Sequence, residues 1–289
     1  MMIAISASIG RLLLNMNKNK LYTLAKIDVM DSYPLADIFD DEKYTILEES
    51  DDVASLVKLA IGGFKAENSN FTSYKQWVDE AEEGGYEFIV VSKGKELFRA
   101  SIILIDPIIP SAIFLALEYH DKQIRKGDGH PYLEHPLDVA HILWKNKFLS
   151  EVISAGYCHD LLEDTSCEEN KISEVCSPEV LRIVKAVSND ESLSDKKDWE
   201  LKKAKYVESV RLGGEKAIAV SVADKISNLH SFFEQYEKEG PSLWKKFNRG
   251  KDKKIWFEKE VIKMAKSNWS HPMLAELEKL VQRLEKTEE

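Results

Sequence analysis

Four ionisable side chains occupy six positions in Ala155-Gly156-Tyr157-Cys158-His159-Asp160-Leu161-Leu162-Glu163-Asp164-Thr165, among apolar neighbours. Read as a helix, the stretch sets Asp160 three and four residues before Glu163 and Asp164, and His159 four before Glu163, so that all four crowd adjacent strips of one face. Carboxylates this close raise one another's proton affinity unless positive charge sits among them, and a divalent cation is the usual answer. A metal held by one helix needs ligands from elsewhere in the chain.

Two other stretches offer them. Lys122-Gln123-Ile124-Arg125-Lys126-Gly127-Asp128-Gly129-His130-Pro131-Tyr132-Leu133-Glu134-His135-Pro136 reads as a loop from its Gly and Pro residues. Pro136 suits the first turn of a following helix, which leaves His135 at that helix's start. Ala217-Ile218-Ala219-Val220-Ser221-Val222-Ala223-Asp224-Lys225-Ile226-Ser227-Asn228-Leu229 reads as an apolar helix interrupted by an acid, and an Asp in such a setting needs a partner.

The order Gln-x-Arg-Lys with Pro-Tyr-x-x-His-Pro, then His-Asp-x-x-Glu-Asp-Thr, then Ala-Asp-Lys-x-x-Asn-Leu resembles the HD-type hydrolase domain of the RelA/SpoT family, the enzymes that degrade the alarmone ppGpp. The resemblance covers roughly residues 111 to 286 and is closest in scale to the small stand-alone alarmone hydrolases. It implies an HD-domain helical bundle (109–289), so that the protein is mainly α, and the residue pattern of the remainder (1–108) reads as a small α/β region of unknown role. It also implies hydrolysis of ppGpp or pppGpp to GDP or GTP and pyrophosphate through a metal-activated water.

On this reading His135, His159, Asp160 and Asp224 are the metal ligands. Two imidazoles and two carboxylates suit Mn²⁺ or Fe²⁺ better than a closed structural zinc site, and the resemblance favours Mn²⁺. An open coordination position matters because it acidifies a water that can then attack phosphorus. Glu163 and Asp164, carried over from the family's Glu-Asp pair, would orient or deprotonate that water, and the sequence leaves open which of them takes the proton. Arg125 and Lys126 are the loop cations assigned to phosphate. Trp199, Lys202, Lys203 and Tyr206 resemble a family pattern of Trp, basic pair and Tyr. Lys202 stands where relatives often carry Arg, which puts a bidentate grip there in doubt. Lys203, Tyr206 and Asn228 are the further substrate contacts, Asn228 matching the family's nucleotide-contacting Asn.

The elements that position these groups follow from the rest of the chain. Its 289 residues carry a formal net charge of −10, which argues against a nucleic-acid or membrane surface and requires a local basic pocket for a small phosphorylated nucleotide. Cys158, Cys167 and Cys176 form no CxxC pair, consistent with a reducing cytoplasm. Met1 to Leu14 is apolar but too short for a membrane span and lacks the basic leading region of a signal peptide.

Ser50 can cap a helix whose Val53, Leu56, Val57 and Ala60 share a face and which Gly62-Gly63 should end. A second helix is expected over 73–83, then a hairpin of 86–91 and 96–105; the acidic 37–52 stretch reads as solvated surface. Helices are expected at 113–124, with Phe114, Leu117 and Ile124 on one apolar face, at 136–144, and at 151–162 for the motif. Others are expected near 178–187, 199–211, 215–233, 253–265 and 273–284. His120 and His141 read as core or near-site residues, and His130 as a shaper of the substrate loop. Residues 1–105 carry no chemical motif, and no second catalytic domain is visible. Two alternatives stay open: the same site acting on an adenosine alarmone or the 2′-phosphate of NADPH, and a regulatory module that senses an alarmone without turnover.

Overall fold

The computed structural model describes residues 22–29, 44–50, 52–67, 85–92, 95–100, 106–125, 129–190, 192–193 and 197–289. The expectations for Met1–Leu14, for a helix over 73–83 and for Lys126 lie outside these residues. The chain divides into two compact units, Met1–Pro110 and Ser111–Glu289. Among the described residues, no helix is long and apolar enough to cross a membrane.

The first unit is an antiparallel sheet of β1 (Tyr22–Val29), β2 (Tyr44–Ser50), β3 (Gly85–Ser92) and β4 (Lys95–Ala100) in the order β2-β1-β3-β4. The expected hairpin is β3–β4, with Ser92 opposite Lys95. Part of the acidic 37–52 stretch, expected as solvated surface, forms β2, which pairs with β1 from Tyr22↔Ser50 to Ile27↔Tyr44. Helix α1 (Val53–Glu67) packs against the sheet. Its face is the expected one, with Val53, Leu56, Val57 and Ala60 all buried. Its ends differ from expectation. Asp52 rather than Ser50 caps it, accepting from Ala54 N at 3.0 Å and Ser55 N at 3.2 Å, and the helix continues through Gly62-Gly63. A glycine pair costs helix propensity but is no barrier where the preceding turns are buried.

The second unit is helical, as the motifs imply. It comprises α2 (Ile108–Tyr119), α3 (Glu134–Lys145), α4 (Ser150–Cys158), the single turn α5 (Leu161–Asp164), α6 (Glu169–Val175), α7 (Pro178–Val187), α8 (Trp199–Glu239), a 3₁₀ segment (Gly240–Lys246), α9 (Gly250–Asn268) and α10 (Pro272–Glu285). Every residue from Ala217 to Ser227 is buried, and a helix buried all round must be central. The α8 helix accordingly packs against α3, α4, α7, α9 and α10 within the bundle.

Three expectations are corrected here. The α2 helix stops at Tyr119, five residues short of Ile124. Lys122 adopts a left-handed backbone (φ 60°), and Ile124 leaves the core to pair with Pro131, closing the loop that carries Arg125. Phe114 points outward, 44% exposed, while Leu117 is buried. The motif helix is broken after Cys158, with Asp160 at φ −95°, ψ −2°. The two helices expected around Gly214 follow one another with a sharp kink at that residue, whose φ of 74° and ψ of −168° suit glycine.

Glu179 ties that kink to α7. Its carboxylate pairs with Arg182 at 2.7 Å and with Lys216 at 2.8 Å, while Arg182 also donates to Gly213 O at 3.0 Å. Hydrogen bonds from Arg182 first, then Lys216, hold the Glu179 carboxyl down at about 2. A depressed carboxylate stabilises the fold above its unfolded value of 4.5, and that contribution is lost as pH falls through about 2. The group is largely solvent-screened, so Glu179→Gln should cost less than about 1 kcal/mol at pH 7 in urea denaturation, and the difference should vanish toward pH 2.

Close approach of α3 and α4 aligns the two histidine-bearing segments. An added Cβ at Gly156 would lie 2.7 Å from Leu143 Cδ1 and 3.1 Å from the Ala140 Cα, so α3 itself would have to retreat. Gly156→Ala is therefore expected to cost about 1–3 kcal/mol in the same measurement.

Candidate metal centre

His135 is the second residue of α3, fixed there by the turn in which Tyr132 O accepts from His135 N at 2.9 Å. His159 and Asp160 fill the break between α4 and α5. Consecutive residues on a regular helix diverge by about 100°. The break lets these two converge instead, with His159 Nε2 3.1 Å from Asp160 Oδ2. The central part of α8 supplies Asp224, an acid 9% exposed.

His135, His159 and Asp160 offer ligand atoms that all lie within 4.8 Å of one another. The two Nε2 atoms are 3.2 Å apart. Asp224 abuts both imidazoles, its Oδ1 3.1 Å from His135 Nε2 and 3.8 Å from His159 Nε2. The outer nitrogens are engaged: His159 Nδ1–H donates to Gly156 O at 2.9 Å, and His135 Nδ1 meets Ser227 Oγ at 3.1 Å. A carbonyl only accepts, so His159 carries its proton on Nδ1 and turns a lone pair inward, as a metal-binding imidazole must. Inward-facing imidazole nitrogens between the buried Asp224 and the half-buried Asp160 fit a divalent cation.

The flanking carboxylates also favour a proton on the inward nitrogen of His159, which a cation would have to displace. Burial works to lower the His159 imidazole, but the Asp160 carboxylate, followed by Asp224, outweighs it and holds it up at about 9. Burial likewise opposes ionisation of Asp160 and Asp224, yet His159 and Lys225 respectively keep both well below the usual carboxylate range. Lys225 Nζ sits 2.6 Å from Asp224 Oδ2, and Asn228 Nδ2 donates to Oδ1 at 2.5 Å.

A cavity of about 220 Å³ opens beside the cluster. Arg125, Lys203 and Lys225 line it, giving this acidic chain the basic pocket its charge balance requires. Arg125 donates to Ser231 Oγ at 2.9 Å and to Asn228 Oδ1 at 3.3 Å. Tyr206 and Phe257 form an aromatic wall, ring centroids 5.7 Å apart, with Lys203 4.9 Å and Lys225 5.1 Å from the Phe257 centroid. Tyr206 OH meets Ser221 Oγ at 2.8 Å. A larger cavity, about 710 Å³, borders the first through Glu163, Asn189 and Tyr206.

The Glu-Asp pair is split between two environments. Glu163 lines the cavity, accepting from Asn189 N at 2.7 Å and Asn189 Nδ2 at 2.8 Å, while Lys203 Nζ donates to Asn189 Oδ1 at 3.1 Å. Burial pushes the Glu163 carboxyl up, against the pull of those hydrogen bonds. Asp164 is exposed, is not among the cavity's lining residues, and accepts from Tyr132 OH at 2.6 Å. Lys202 is buried and does not line the cavity, and Trp199 packs on Trp256 with centroids 5.7 Å apart. His130 pairs with Glu134 at 3.1 Å, within the loop it was expected to shape.

Sequence reasoning missed Asn189, Phe257, Ser221 and Ser227. Tyr132 and Lys225 lie inside the motifs but carry no expected role in them. Asn189 lies 26 residues from Glu163 on the far side of two helices, and no spacing rule links them. Lys225 follows Asp224 directly and Tyr132 lies three residues before His135, the signal that could have found them.

The helical bundle with its His-Asp doublet at the break, the histidine of α3 and the acid of α8 defines an HD-domain protein, and residues 112–252 match the HD domain family. In sequence the chain is 31% identical over 124 residues to guanosine-3′,5′-bis(diphosphate) 3′-pyrophosphohydrolase MESH1 of Danio rerio, covering 42% of this chain and 67% of that one. It is 40% identical over 81 residues to a GTP pyrophosphokinase of Myxococcus xanthus, covering 28% of this chain and spanning only 11% of that relative's length. A solved structure titled as a metazoan ortholog of SpoT that hydrolyzes ppGpp matches with a TM-score of 0.52 and 22% identity, over 62% of this chain and 95% of that one, which speaks to the fold. The chain belongs to the RelA/SpoT family of HD-domain (p)ppGpp hydrolases.

Proposed function

We propose that residues 109–289 form a metal-dependent phosphohydrolase that removes the 3′-pyrophosphate from ppGpp or pppGpp, leaving GDP or GTP, with Mn²⁺ as the ion. The observation that carries this reading is the juxtaposition of a His-His-Asp cluster with a cavity walled by Arg125, Lys203 and Lys225 and bordered by Glu163. A divalent ion held by His135, His159, Asp160 and Asp224 would supply Lewis acidity, making a water more acidic and offsetting charge on the departing pyrophosphate.

The chain's own groups do the remainder. Arg125, Lys203 and Lys225 bind phosphate oxygens and offset charge as it builds on the leaving group. Glu163 takes the proton of the attacking water, and Asn189 holds its carboxylate toward the cavity. Asn228 links Arg125 to Asp224, so substrate grip and ligand orientation are mechanically joined. Tyr206 offers a flat apolar surface to the nucleotide. Lys126 is kept as a second loop cation on the strength of the motif alone.

The deciding experiment is the identity of the product. Purified protein supplied with Mn²⁺ should convert ppGpp to GDP and pyrophosphate, resolved by anion-exchange chromatography. Turnover of an adenosine alarmone or NADPH in place of ppGpp would move the substrate assignment. Binding without turnover of any of them would make the chain a sensor, a result against which the Glu163 environment argues.

A further inference from the structure

Three of the four proposed ligands are aimed by identifiable neighbours. Gly156 O directs His159, Ser227 Oγ directs His135, and Lys225 with Asn228 direct Asp224. Asp160 has no such help from helix regularity, because it lies in the break after α4. Its carboxylate is met instead by Tyr132, whose hydroxyl donates to Oδ2 at 2.6 Å. We infer that Tyr132 is a positioning residue whose phenol sets the orientation of Asp160 toward the two imidazoles, and that His120, stacked on the Tyr132 ring, holds the phenol in place. This inference rests on the metal-site reading above.

The geometry supports each link. A phenol-to-carboxylate hydrogen bond at this length is among the stronger kind. It engages the same Oδ2 that lies 3.1 Å from His159 Nε2 and 3.6 Å from His135 Nε2, so it fixes the carboxylate plane where the ligand set converges. The hydroxyl is also 2.6 Å from Asp164 Oδ2. One phenol proton serves one acceptor at a time, so Asp160 and Asp164 are alternative acceptors for it, both on the side of the break.

Behind the ring, His120 is 2% exposed and stacks on Tyr132 with centroids 4.9 Å apart and planes 30° apart. Its Nδ1 meets Gln123 Oε1 at 2.6 Å, and Gln123 O accepts from Tyr132 N at 2.7 Å, closing a small ring of contacts around the tyrosine. His120 Nε2 is buried with no hydrogen-bond partner. Such a nitrogen is costly in a residue that merely fills space, and the stack gives the imidazole a use.

Mn²⁺ titration calorimetry on the full chain, paired with melting of the metal-free protein, tests this. Tyr132→Phe keeps the ring and the stack and removes only the hydroxyl. It should weaken Mn²⁺ binding about tenfold, the lower end of what outer hydrogen-bond partners contribute. Its metal-free melting temperature should stay within about 3 °C of the native value. His120→Phe, which preserves stacking, should bind Mn²⁺ as the native chain does, whereas His120→Ala should bind more weakly. Tyr132→Phe with native Mn²⁺ affinity would overturn the proposal, whether or not its melting temperature had fallen. His120→Ala with native affinity would remove His120 from it. A native chain that binds no Mn²⁺ would overturn the site reading itself, a different failure.

Discussion

His159→Ala is expected to abolish Mn²⁺-dependent hydrolysis of ppGpp and to weaken Mn²⁺ binding by more than about 100-fold, since even a hydrogen-bond partner outside the ligand set is worth about 10–100-fold. The residue cannot be replaced by a neighbour. Its Nε2 is aimed inward by the Nδ1–H bond to Gly156 O, and it faces Asp160 at 3.1 Å and His135 at 3.2 Å. Truncation leaves the half-buried Asp160 and the buried Asp224 beside His135 with less compensating charge, so the metal-free protein should also lose stability, by less than the about 3–5 kcal/mol of a fully buried pair broken from one side. Circular dichroism separates the two effects: a folded variant at low temperature that no longer takes up Mn²⁺ meets the expectation. A folded variant binding Mn²⁺ within tenfold of the native chain would remove His159 from the ligand set.

Glu163→Gln should lower kcat by about 10²–10⁴, the range for losing a general base, with KM little changed. The substitution is conservative toward the fold, because a Gln carbonyl can still accept from the Asn189 backbone N–H. It removes the proton acceptor while keeping shape. Burial pushes the Glu163 carboxyl up, so the native enzyme should lose kcat/KM as pH falls through a value above the ordinary glutamate range. That acid limb should be absent from the residual activity of Glu163→Gln. Asp164→Asn should cost less, since Asp164 is exposed, does not line the cavity and touches Tyr132 instead. Equal losses from the two substitutions, with the acid limb retained in both, would return the proton to an unassigned group.

Much of this site was legible before any coordinates. Two histidines and two acids from three separated stretches could be read as one cluster because each stretch has a distinctive local context: a Gly/Pro loop, a dense acidic motif, and an apolar helix. The α1 face at Val53, Leu56, Val57 and Ala60, and the α7 helix at Pro178–Val187, followed from periodicity and caps, which are local properties. What misled the reading was also local. An unbroken helix over 151–162 satisfies the pattern, but it would point His159 and Asp160 apart, and convergence on one site overrides propensity there. The same holds for the segment after α2, where Ile124 is drawn out of the apolar face by loop closure with Pro131.

The sequence by itself determined which residue types are present to hold an ion and a polyanion, in what order, and on mainly helical supports, because composition, periodicity and motif spacing are written along one dimension. Only the tertiary structure decided which carboxylate of the Glu-Asp pair faces the cavity, that Asn189 holds Glu163, that Lys225 compensates Asp224, and that Tyr132 reaches Asp160. Hydrogen bonds and ion pairs of this kind act over about 3 Å in space and are blind to separation along the chain, so packing alone chooses their partners.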